Sequence, residues 1–243
     1  MLAAALLGCG LAAPVRAVEL HLRWDRCYAD GGLENRTFAC DTDEGEESLV
    51  GSFRWDTPNS NVLGFTAEID MATVSDALPA WWQFVNPAFC RSTSVTIDRQ
   101  RPAGSVNCAD PGRAGSLATI TAFWRYDTPP GSPSPRAGVL VLNVDFIASG
   151  GVTIAPGQET FAFRLLVDHA RTAAADSCEG CRTPMCLAWG RADLLLADGN
   201  VRVLSLGAYS PGNSSTVTFQ PGAVATTQGN VTPHQNVFHW VQC

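Results

Sequence analysis

Apolar and polar residues alternate with a period of two along most of the chain, and no long stretch carries the 3.6-residue period of a helix. Val18, Leu20, Leu22 and Trp24 alternate with Glu19, His21, Arg23 and Asp25, a strand with one apolar and one polar face. The same pattern returns at Leu49–Trp55, Phe65–Met71, Ala118–Tyr126, Leu140–Phe146 and Phe161–Val167. Further strands are expected at Cys186–Leu196, Val201–Leu206, Ser215–Gln220 and Asn236–Gln242. Turn clusters such as DGGLEN, DTPNSN, SGG and SPGNSS separate these runs. About ten short strands so punctuated predict an all-β chain, a two-sheet sandwich of jelly-roll or related type. Short helical turns are expected at Asp168–Asp176 or around Pro79–Phe84. The Pro-rich stretch Asp127–Arg136 is too short to divide the chain and reads as a surface loop. Residues 18–243 are therefore expected to form one domain.

The first residues set the compartment. An apolar run from Leu2 to Ala13 is too short to span a bilayer, and Val15-Arg16-Ala17 supplies a small-residue cleavage pattern. Residues 1–17 thus read as a signal peptide; a second reading makes Leu6-Leu7-Gly8-Cys9 a lipoprotein box acylated at Cys9. Both place the chain in the secreted or cell-surface class. All 16 basic residues are Arg, none is Lys, and the net charge is −7. The arginines are scattered without a basic stripe, which argues against nucleic acid as a partner and against anionic lipid. No transmembrane segment is predicted.

Of nine cysteines, cleavage after residue 17 removes Cys9. Cys27, Cys40, Cys90, Cys108, Cys178, Cys181, Cys186 and Cys243 remain, an even set suited to disulfides in an oxidising compartment. The segment CEGCRTPMC, Cys178–Cys186, poses three alternatives. Thioredoxin-like chemistry needs a helix after Cys-x-x-Cys to lower the thiol pKa, and here a Pro and a strand follow. A zinc site would take Cys178, Cys181 and Cys186 with one of His21, His169, His234 or His239. Disulfides are the favoured reading. The hairpin-length spacings predict Cys27–Cys40 and Cys90–Cys108, a local pair within the trio, and a bridge from its third member to Cys243.

The landmarks WDRC…FAC, LPAWWQF, CADP and CEGCRTPMC resemble those of a group of exported bacterial β-rich proteins that has no established activity. The resemblance implies a secreted β domain and transfers no catalytic residue. At the level of fold, the pattern is also similar to cohesin-like and carbohydrate-binding sandwiches.

Several segments carry candidate chemistry. AEIDMATV, Ala67–Val74, resembles the carboxylate strand of laminarinase-type glycoside hydrolases, with Glu68 as nucleophile and Asp70 as assisting carboxylate. The acid/base position holds Ala72 or Thr73, so a retaining mechanism would need a further carboxyl group, such as Asp145 or Asp168. DTDEGEE, Asp41–Glu47, offers Asp41, Asp43 and Glu44 as weak calcium ligands, although Gly45 and Ser52 depart from the EF-hand spacing. ALPAWWQF places Trp81 and Trp82 side by side, and adjacent residues of a regular strand point to opposite faces. One indole is thereby expected to be open for stacking on a sugar, with Gln83 and Arg91 supplying hydrogen bonds. No Gly-x-Ser-x-Gly elbow or phosphate-binding glycine loop occurs. Asn35, Asn213 and Asn230 fit the glycosylation sequon and lie in expected turns. The sequence thus predicts an exported, disulfide-braced, non-catalytic sandwich that binds an extracellular glycan or protein, or serves as a metal-braced adhesion or assembly module.

Overall fold

Two β-sheets pack face to face in the computed structural model, which describes residues 18–56, 59–73, 78–84, 89–111, 120–125, 137–145, 151–205 and 214–221. The strands are β1 (Val18–Trp24), β2 (Asn35–Arg36), β3 (Glu46–Trp55), β4 (Asn59–Thr73), β5 (Val95–Asp98) and β6 (Ile120–Arg125). They continue with β7 (Ala137–Asp145), β8 (Val152–Ile154), β9 (Thr160–Asp168), β10 (Met185–Leu196), β11 (Val201–Ser205) and β12 (Thr216–Phe219). The first sheet runs β1-β3-β9-β5; the second runs β2-β12-β10-β4-β7-β6, with β11 also on β10 and β8 also on β4. Pairing is antiparallel except between β12 and β2. The strand expected at 236–242, together with Cys243, His234, His239, Asn213, Asn230 and the stretch 127–136, lies outside the described residues, as do residues 1–17.

The period-two pattern explains the core. Leu20, Leu22 and Trp24 of β1, Leu49 and Phe53 of β3, and Phe163, Leu165 and Val167 of β9 are buried on the inner face of the first sheet. Phe65, Ala67, Ile69 and Met71 of β4, Leu187 and Trp189 of β10, and Val217 and Phe219 of β12 meet them from the second. Burying each large apolar side chain is worth about 1.5–3 kcal/mol. Gly51 has a steric role here. A Cβ at that position would lie 2.3 Å from the Phe163 ring, so the absent side chain lets the ring cross β3.

Two departures from simple alternation matter. The β3–β9 register shifts between Gly51 and Ser52, so Ala162 has no partner and Phe161 sits opposite Ser52. This bulge turns Phe161 away from Phe163, with which the sequence pattern groups it. Phe161 joins Val50, Cys27 and Cys108 in a second, smaller core on the outer side of the first sheet. The polar face of β1 is largely covered as well: His21 and Arg23 are both 3% exposed. Arg23 donates to the carbonyls of Leu22 and Ser214, each at 2.8 Å, and to Glu34. His21 stacks on Tyr28, with ring centroids 4.4 Å apart, and its Nδ1 contacts Ser214 Oγ. Burial, then Arg54 and Arg23, push the His21 pKa down to about 4.

The disulfides correct the local pairing expected from spacing. Cys27 bonds to Cys108, Cys40 to Cys181 and Cys90 to Cys178. Cys186 is also disulfide-bonded, with its partner outside the described residues. Cys27 and Cys40 cannot pair locally because the chain between them leaves the first sheet and adds β2 to β12 in the second. Cys90 and Cys108 are separated by β5, which runs along β9 and carries them to opposite ends of it. No local bond forms within the 178–186 trio; its three sulfurs all belong to disulfides and do not form a thiolate set for zinc. A short 3₁₀ turn occurs at Ala80–Trp82, inside the expected 79–84 segment, whereas Asp168 ends β9 and residues 169–177 form turns rather than a helix.

Candidate functional site

Trp81 and Trp82 do not form the expected platform. Their 3₁₀ turn, unlike a regular strand, directs both indoles inward, and they are 0% and 1% exposed. Both rings pack on Phe219, with centroids 5.5 and 5.1 Å away. Trp81 Nε1 donates to Thr172 Oγ1 at 2.9 Å. The void bordered by Trp82 and Phe84 is about 10 Å³, no more than a single water needs.

The two polar groups expected to assist are engaged internally as well. Gln83 Nε2 donates to the Leu78 carbonyl at 2.6 Å. The Arg91 guanidinium, fully buried, lies 3.6 Å from the Trp81 ring centroid. Its Nη1 donates to the Trp81 carbonyl at 2.9 Å, and Nη2 reaches the Asp168 carbonyl and, at 3.4 Å, its carboxylate. Burial lowers the Arg91 pKa to about 10, opposed by Asp168, so the group remains charged at neutral pH. Gly180 closes this region: its φ is +102°, and a Cβ there would come within 2.1 Å of Pro79 Cβ. CEGCRTPMC is therefore the floor of a sealed aromatic cluster, stapled through Cys178 to Cys90 and through Cys181 to Cys40.

Asp43 has a comparable internal role. Its Oδ1 accepts the backbone N–H groups of Thr172 and Ala173 at 2.6 and 2.7 Å, which hold its carboxyl below the ordinary Asp pKa. His169 Nδ1 meets the Glu44 carbonyl at 2.7 Å. The acidic loop thus ties down the 169–177 turns, and Asp41, Asp43 and Glu44 do not bring three ligand oxygens within 4.8 Å of one another. On β4, Glu68 stands opposite Arg191 of β10 and Asp70 opposite Ala188. Asp168 belongs to the other sheet, and Asp145 pairs with Gly64, four residues from Glu68 and roughly 13 Å along the strand.

The structure instead opens a cleft after β5. Arg99, Gln100, Arg101, Pro102, Ala103, Gly104, Ser105, Val106 and Asp110 enclose about 510 Å³. Its base is rigid. Cys108 is bonded to Cys27 over the small core of Val50 and Phe161, and Ala109 forms a parallel bridge with Thr160, donating to the Glu159 carbonyl at 2.8 Å and accepting the Phe161 N–H at 2.7 Å. Ser105 Oγ accepts the Cys27 N–H at 3.1 Å, and Asp30 Oδ1 accepts the N–H groups of Val106 and Asn107 at 3.0 and 2.9 Å. Buried Glu159 caps the adjoining turn, accepting from the backbone of Tyr28 and Ala29 at 2.9 and 2.8 Å.

The rim is open: Gln100, Ala103 and Gly104 are exposed, and Val106 is 75% exposed. Arg101 Nη1 donates to the Cys108 carbonyl, which fixes its guanidinium against the wall. Burial lowers the Arg99 pKa while Asp110 acts to raise it. Arg26 adds a third guanidinium beside Gly104, 3.4 Å from where a Cβ would stand. None of these residues was singled out from the sequence. The available signal was Asp98-Arg-Gln-Arg-Pro102, two arginines in three residues of an acidic chain without Lys.

No protein-family model and no curated protein matches the chain. Among solved structures, the cohesin module from a Clostridium perfringens ATCC13124 family 33 glycoside hydrolase aligns at 9% identity with a TM-score of 0.30. The alignment covers 84% of this chain and 96% of that module. No helix among the described residues is long and apolar enough to cross a membrane.

Proposed function

We propose that this chain is an exported, non-catalytic binding module whose sandwich supports an extracellular ligand at the 99–110 cleft. The observation that carries the reading is the cleft itself. Its volume of about 510 Å³ falls in the range of small-ligand sites, and its loop is held by a disulfide, a β-bridge and side-chain caps. Such preorganisation lowers the ordering cost of binding. The disulfides support an oxidising compartment. Burial of Trp81 and Trp82 removes the support for a sugar-stacking site there.

The test compares the oxidised chain 18–243 with its Ala103→Trp variant on glycan and peptide arrays. Ala103 is exposed on the cleft lining, so an indole there obstructs the mouth without entering the core. Signals on the parent chain that disappear in the variant support the reading. Signals that Ala103→Trp leaves unchanged contradict it.

A further inference from the structure

We infer that the cleft takes an acidic peptide segment, with a ligand carboxylate between Arg99 and Arg101 and the ligand backbone paired to the edge of β5 on which no described residue pairs. This rests on the binding reading above and names its ligand class.

Charge is the first argument. The chain carries −7 overall, yet the cleft places Arg99 and Arg101 against the single carboxylate of Asp110, with Arg26 beside Gly104. Nearby carboxylates are already engaged. Asp98 pairs with Arg164 on β9, and Asp30 Oδ1 accepts three N–H groups from Val106 and Asn107. A guanidinium has five N–H donors in a planar fork matched to a carboxylate. Arg101 uses Nη1 on the Cys108 carbonyl, an anchor that orients the group before a ligand arrives.

The strand edge is the second, independent argument. β5 ends the first sheet, pairs only with β9 among the described residues, and leads directly into Arg99. Asp168 N–H donates to the Ser94 carbonyl at 3.0 Å, which fixes the hydrogen-bonding phase of the ladder. Inward-bonded positions of β5 are therefore Thr96 and Asp98, and Val95 and Ile97 direct their N–H and C=O groups outward. An extended peptide can add there as a further strand, with alternate side chains selected by pockets. An acidic residue just past Ile97 would meet the cleft arginines.

The lining also discriminates between ligand classes. It includes Pro102, Ala103 and Val106 but no aromatic ring on which a sugar would stack. Peptide is thereby favoured over acidic glycan.

The experiment is fluorescence polarisation at low salt on the oxidised full chain, with a labelled (Glu-Thr)₅ peptide. Its (Gln-Thr)₅ counterpart and a (Glu-Thr)₅ methylated at every backbone nitrogen serve as probes, and an oligogalacturonate as the glycan arm. The expected result is saturable binding of (Glu-Thr)₅. Both counterparts bind at least about tenfold weaker, the first for lack of charge and the second because it has no backbone N–H to give to a ladder. Arg99→Gln weakens (Glu-Thr)₅ about tenfold, Asp110→Asn tightens it about threefold, and both variants melt within about 4 °C of the parent.

Equal binding of the Gln peptide, or no effect of Arg99→Gln, overturns the carboxylate site. Equal binding of the N-methylated peptide overturns pairing to β5. Oligogalacturonate binding without (Glu-Thr)₅ binding overturns the peptide class and leaves the cleft as the ligand site. Array signals indifferent to Ala103→Trp remove the binding reading itself.

Discussion

The two ends of β5 carry the same chemistry in opposite states. Before the strand, Arg91 is enclosed by Trp81, Phe84 and Asp168 beneath the Cys90–Cys178 bond. After it, Arg99 and Arg101 line an open cleft on the Cys27–Cys108 bond. An arginine and a disulfide thus make a sealed plug at one end and a solvent-facing recess at the other. The difference lies in what surrounds the guanidinium. Two carbonyls and the Trp81 and Phe84 rings hold the buried Arg91 guanidinium within the fold, whereas Gln100, Ala103, Gly104 and Val106 of the 99–110 loop stand exposed over a small separate core. Residue type alone does not mark a site; an accessible group on a fixed backbone does.

The largest effect expected comes from the bonds. In the chain-entropy model each bridge contributes about 4.5 kcal/mol, given sequence separations of 88 for Cys90–Cys178 and 81 for Cys27–Cys108. Urea denaturation of the two paired Cys→Ser variants is expected to show similar losses of stability. Ligand binding is expected to fall sharply only without Cys27–Cys108, whose removal frees the cleft loop. Equal loss of binding in both variants would break the distinction between the two ends.

Next comes the guanidinium itself. Arg91→Ala leaves a cavity over Trp81 and unpaired buried carbonyls, and is expected to cost about 3–5 kcal/mol in urea denaturation. Arg99→Gln, at the open end, is expected to change stability by no more than about 0.5–1 kcal/mol. Equal costs would place Arg99 in the structural class with Arg91.

Buried His21 provides a pH counterpart, and its sign follows from a lowered pKa. The unfolded chain takes up the proton near the ordinary value of 6.5, the folded chain only near 4. Stability is therefore fully present above pH 6.5, declines between 6.5 and 4, and loses no more from this group below 4. The total is about 3 kcal/mol at 1.36 kcal/mol per pH unit. The pH dependence of the urea midpoint is expected to flatten over that window in His21→Gln. The smallest effect is that of Asp110→Asn on stability, within about 0.5 kcal/mol by thermal melting.

Much of the sandwich was legible because alternation reports which face is buried. β4 keeps its apolar residues inward along Phe65–Met71, and β9 does so from Phe163 to Val167. What periodicity missed was what tertiary pairing determines. Four-residue β5 carries too few residues to register as a periodic strand, and without it the spacing of Cys90 and Cys108 reads as that of a hairpin. The bulge at Ala162 redirects Phe161 with no local signal. Trp81 and Trp82 read as a possible platform because strand geometry was assumed; a 3₁₀ turn buries both. His21 and Arg23 follow the alternation but are covered by the Ser214–Thr216 segment, nearly two hundred residues away. The cleft was legible only as a pair of arginines, since its walls come from loops joined by a disulfide of separation 81.

The central claim, that the open end of β5 binds and the sealed end does not, is tested most directly by an amide nitrogen–proton NMR titration with the (Glu-Thr)₅ peptide. The account predicts shift changes at residues 95–106 and 110, with residues 79–84 and 178–181 unmoved. Changes centred on residues 79–84, or an unmoved cleft at saturating peptide, would contradict it.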